Sequence, residues 1–93
     1  MSYFTELVRT GRNNIAAFAA KEEFKDAGEV ASVTRDQVCM CYGDTVWGDD
    51  ALWALDGIIQ SCFWLCQSGG SDTPDHDRRN IAQCLDQLDE LIN

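Results

Sequence analysis

The residues of this 93-residue chain best suited to chemistry are five cysteines, Cys39, Cys41, Cys62, Cys66 and Cys84, and one histidine, His76. Thiolates and an imidazole that converge can hold zinc, and a thiol beside a base can act as a nucleophile. The spacing here favours neither. Cys39-x-Cys41 and Cys62-xxx-Cys66 are not CxxC knuckles, and Cys62 and Cys66 fall one helical turn apart on an apolar stretch, where a free thiol packs as a small hydrophobe. His76 stands between Asp75 and Asp77, and no nucleophile elbow surrounds Ser61, Ser68 or Ser71. The expectation is a non-enzyme with no cofactor and no metal ligand. A Cys/His metal-binding protein is the third-ranked reading.

A second set of residues points to recognition instead. Residues 36–77 contain Asp36, Asp44, Asp49, Asp50, Asp56, Asp72, Asp75 and Asp77 and no Lys or Arg, whereas residues 1–35 carry five acids and five bases. The net charge of −9 is therefore concentrated in the middle of the chain. Phosphate binding rests on cations, so direct nucleic-acid contact by this segment is excluded. Neither Asp44, Asp49 and Asp50 nor Asp72, Asp75 and Asp77 has EF-hand spacing. Several of these acids suit helix caps or first turns, where a negative charge complements the helix dipole. That accounts for their positions but not for the missing counter-charges.

The elements that position these residues follow from apolar periodicity. Hydrophobic residues at 45%, charged ones at 25% and a single Pro point to an all-α domain spanning 1–93. Phe4, Leu7, Val8, Gly11, Ile15 and Phe18 form one face of a first helix over 3–20. The stripe fails at Glu22, so a bend or new helix is expected between Ala20 and Glu23, with an extension to 27 stopped by Gly28. Thr34-Arg35-Asp36-Gln37 fits a capping box and opens a short helix over 35–42. A loop from Gly43 to Gly48 carries Trp47, and Asp49 caps a central helix over 50–67. Thr73 and Pro74 open a last helix over 74–92, antiparallel to the central one, with Ile81, Leu85, Leu88 and Ile92 inward. The predicted fold is a small bundle of about four helices.

The central helix organises this arrangement. Counting about 100° per residue from Leu52, Leu55, Ile59, Cys66 and Leu52 fall at about 300° to 360°, as the expected core face. Asp56, Gln60 and Gln67 form a narrow polar seam at about 40° to 80°, and Trp53, Gly57 and Trp64 a second apolar strip at about 100° to 140°. The strip is expected to pack beneath the N-terminal helix or to meet a partner, with Gly57 as a notch between the indoles. Trp is the residue type most enriched at binding hot spots.

The leading expectation is an acidic interaction protein that binds and inhibits or modulates a basic protein surface. Its partner-binding residues are Asp44, Asp49, Asp50, Asp72, Asp75, Asp77, Trp47, Trp53 and Trp64. In size and charge the chain resembles small acidic helical inhibitors, encoded by phages, that mimic nucleic acid to block host defence enzymes. That resemblance implies a viral, anti-defence role. The alternative is a homo-oligomeric adaptor, a homodimer in the simplest case, burying Trp53, Trp64 and the first helix's stripe between copies. No apolar run reaches the roughly 18 residues that span a bilayer, and the first residues lack the order of a signal peptide. With an odd number of cysteines, reduced thiols and a cytoplasmic location are expected.

Overall fold

A computed structural model describes residues 2–93. Four helices, α1 (Ser2–Ala20), α2 (Phe24–Tyr42), α3 (Val46–Leu65) and α4 (Pro74–Ile92), run up and down around one core, with no strand among the described residues. Each helix packs on its neighbours in sequence, and α4 closes the ring against α1. Arg12 of α1 reaches Asp89 of α4 at 3.0 Å and Glu22, just past α1, reaches Arg78 at 3.0 Å, while Trp64 of α3 lies beside Asn80 of α4 and Trp53 beside Gln87, so both pairs are antiparallel. Ile15, Leu55, Ile58, Leu88, Val8 and Val38 are the largest fully buried side chains.

The α1 stripe and the α4 heptad face inward as their periodicity predicts: Phe4, Val8, Ile15, Ile81, Leu85 and Leu88 are all buried. The break expected between Ala20 and Glu23 is present, and Glu22 takes a left-handed φ of 58° to make it. The second helix differs from its predicted bounds. It is continuous from Phe24 to Tyr42 instead of starting at residue 35. Gly28 lies inside it, facing Cys62 of α3, and does not stop it. Thr34 is buried, and its hydroxyl donates to the Val30 carbonyl at 2.8 Å, the back-bond that lets a Thr sit in a helix interior instead of capping a new one.

The central helix starts four residues earlier than predicted, and the segment carrying Trp47 is its first turn. Thr45, not Asp49, is the N-cap: its Oγ1 accepts from the Gly48 N–H at 2.9 Å and donates to the Tyr42 carbonyl at 2.7 Å. A Cβ on Gly48 would lie 1.9 Å from that same carbonyl oxygen, so the close α2-to-α3 corner requires glycine. The helix is also rotated from its expected setting. Ala51, Ala54, Leu55, Ile58, Ser61 and Cys62 are buried, a face centred at about 250° on the scale used above. On this face the small Ala51, Ala54 and Ser61 alternate with the large Leu55 and Ile58, and the neighbouring helices approach closely at the small side chains. Cys66, expected in the core, is exposed.

Candidate functional site

That rotation puts the aromatic residues of α3 outside. Trp53 is 83% exposed, Trp64 48% and Phe63 58%. Neither indole packs beneath α1, which lies across the bundle from α3. Both stand on the α4 side, about 16 Å apart along the axis. The notch expected at Gly57 is filled: a Cβ there would lie 2.8 Å from Cys84 Sγ, so glycine is what lets α4 approach. Asn80 fills the rest, donating to the Ser61 hydroxyl at 2.8 Å and to the Gly57 carbonyl at 3.3 Å. The two indoles thus sit at the two ends of a tightly closed seam.

Each end opens into a cleft with acids on its rim. Trp53 shares a cleft of about 320 Å³ with Asp50, Gln87, Glu90 and Leu91. Trp64 lines one of about 440 Å³ with Gln60, Asp72, His76, Asp77 and Asn80. No Lys or Arg lines either. Among the described residues, Asp44, Asp49, Asp50, Asp72 and Glu90 make no ion pair. Their charges face solvent unneutralised. Asp44, Asp49 and Asp50 cluster at the N-terminal end of α3, and Asp72 and Asp75 lie near the start of α4, so the two acidic groups occupy opposite ends of the bundle.

Other predicted site residues also have partners within the chain, and of these only Asp77 is buried. Asp77 is buried at 6% exposure and accepts a hydrogen bond from the Ser71 hydroxyl, which in turn accepts from the Thr73 N–H at 3.0 Å. This clip holds the α3–α4 connection. Asp75 is paired with Arg78, which also reaches Glu22 across the bundle at 3.0 Å. Trp47 packs one side against Phe4 and Tyr42, with ring centroids 4.8 and 5.1 Å away, and leaves the rest of its surface exposed at the end of the bundle. Tyr42 has its phenol pKa raised, chiefly by desolvation.

The five cysteines divide by exposure, with Cys39, Cys41 and Cys66 open to solvent. Cys62 and Cys84 are buried. Burial, with a smaller contribution from Cys66, pushes the Cys62 thiol up to about 12, and burial raises Cys84 as well. Both stay protonated at neutral pH, and a thiol in that form is a poor nucleophile or metal ligand. Among the described residues no three His, Cys, Asp or Glu side chains gather as a metal site. No helix there is long and apolar enough to cross a membrane.

Two further residues belong to the outward sides of α3 and α4: Glu90, which lines the Trp53 cleft, and Phe63, which is exposed although it lies about 20° from the expected core face. The signal for Phe63 was its position beside the polar seam, where Asp56 and Gln67 already required solvent. No family model, curated protein or solved structure matches this chain.

Proposed function

We propose that this protein is a non-catalytic acidic docking protein that binds a basic protein surface through the outer α3/α4 face and so inhibits or modulates that partner. One observation carries the reading. The two exposed indoles, Trp53 and Trp64, flank a face whose nearby acids, Asp50, Glu90 and Asp72, have no counter-ions. An exposed Trp offers a large rigid contact area and a π-face for a guanidinium or ammonium group. Unneutralised carboxylates beside it steer a cationic surface toward it and fix its register. Side chains that would otherwise grip phosphates are matched on both counts. The partner's surface is therefore assigned to the nucleic-acid-binding kind, and blocking it is the mode of action, as in phage-encoded anti-defence inhibitors that mimic nucleic acid. A second copy of the chain fits this face less well, since Asp50 and Glu90 would meet the same charges.

The test is binding of an oligo-arginine peptide, followed by indole emission. Wild type and the off-face control E6Q/D26N, on α1 and α2, should bind alike, while D50N/E90Q and W53A/W64A should each bind at least about tenfold more weakly. Equal weakening by the two charge-neutralised variants would mean that only net charge matters, and would sink the assignment of the face.

A further inference from the structure

Between α2 and α3, on another side of the bundle, runs an open groove of about 500 Å³ whose chemistry differs from that of the tryptophan face. Phe63 and Val33, each 58% exposed, line it with Phe24 and half-buried Ile59. An aromatic and a β-branched side chain thus lie open in the same groove, with apolar surface that a contact could bury. Its two charged residues are Lys25 and Glu29, one of each sign, both exposed. Neither makes an ion pair among the described residues, although they stand one turn apart.

We infer that this groove is a self-association surface and that its occupant is a second copy of this chain. Charge selects the occupant. A protein of net charge −9 repels itself over most of its surface. Both tryptophan clefts present acids without Lys or Arg, so copies apposed there repel. The α2/α3 groove is locally neutral and self-complementary. Gly28 abuts Cys62, which sets Phe63 level with the turn between Lys25 and Glu29. A two-fold axis passing beside Phe63 places each Lys25 opposite the partner's Glu29 and each Phe63 in the partner's groove. Such an isologous contact closes on itself at two copies. The overlap is one short groove, so the dimer is a weak one, formed at high chain concentration.

Sedimentation equilibrium up to about 1 mM chain, the range in which weak contacts are half-formed, tests this. The weight-average mass of the wild type should rise from 10.4 kDa toward twice that value. W53A/W64A should dimerise like wild type, because the faces are separate. F63E should stay monomeric with an unchanged helical circular-dichroism spectrum. K25E, a surface substitution that leaves the core untouched, should dimerise at least about tenfold more weakly, and K25E/E29K should restore the wild-type constant. The proposal is overturned by a wild type that stays monomeric at 1 mM, an F63E protein that dimerises like wild type, or a charge swap that fails to rescue K25E.

Discussion

The two outward sides of α3 differ in one respect that sets what each can bind. Toward α4 lie Trp53 and Trp64 with Asp50, Glu90 and Asp72, so every formal charge near the indoles that lacks a partner is negative. Toward α2 lies Phe63 with one Lys and one Glu. Exposed apolar area is similar in kind on both sides. The charge around it decides whether a basic partner or another copy of the chain is the complementary surface. Net charge alone would assign the whole molecule to one behaviour, and the local balance divides it.

The largest effect expected from a substitution contrasts neighbours on this helix. Leu55→Ala removes a fully buried side chain and should cost about 2 to 5 kcal/mol in chemical unfolding. Trp53→Ala removes more atoms two residues away and should change stability by less than about 0.5 kcal/mol, because the indole is solvated. A large loss from Trp53→Ala would mean that the strip belongs to the core. Gly57→Ala should fall between them, since the new methyl group meets Cys84 and forces α3 and α4 apart. It should also weaken peptide binding by altering the spacing of the two clefts.

Smaller effects separate buried from open thiols. Cys39, Cys41 and Cys66 should alkylate at neutral pH in the folded protein, and Cys62 and Cys84 only after denaturation. Protection of Cys66 at high chain concentration, lost in F63E, would place it at the self-contact. Stability should also fall as pH rises from about 9 toward about 12. In that window the unfolded chain releases the Cys62 proton and the folded chain retains it, so the unfolded state gains. Cys62→Ala should flatten that part of the pH profile.

The fold was legible where one face of a helix is wholly apolar, as in the Phe4 to Ile15 stripe and in Ile81 to Leu88. It was misread where small residues do the packing. Ala51, Ala54 and Ser61 carry little hydrophobic signal, yet they form much of the buried face of α3, and weighting by large side chains turned the helix away from its true setting. Capping signals failed similarly. Thr34 has the right sequence context but bonds back to Val30, whereas Thr45 caps α3 through a glycine whose necessity comes from a carbonyl on the preceding helix. Of the candidate site, the acidic excess and the Trp53–Trp64 alignment could be read from spacing. Burial of Asp77 and the packing of Trp47 on Phe4 could not, because each depends on a partner distant in sequence or on the path of a connection.

The central claim is that the tryptophan face recognises cations through charge and indole together. Its most direct test is the oligo-arginine affinity of wild type and W53A/W64A, read across salt from about 50 mM to about 500 mM, over which the screening length falls to a few ångströms. Wild-type affinity should drop steeply with salt yet stay above that of the variant at every point. Superimposed curves for the two proteins, or a wild-type curve indifferent to salt, would contradict it.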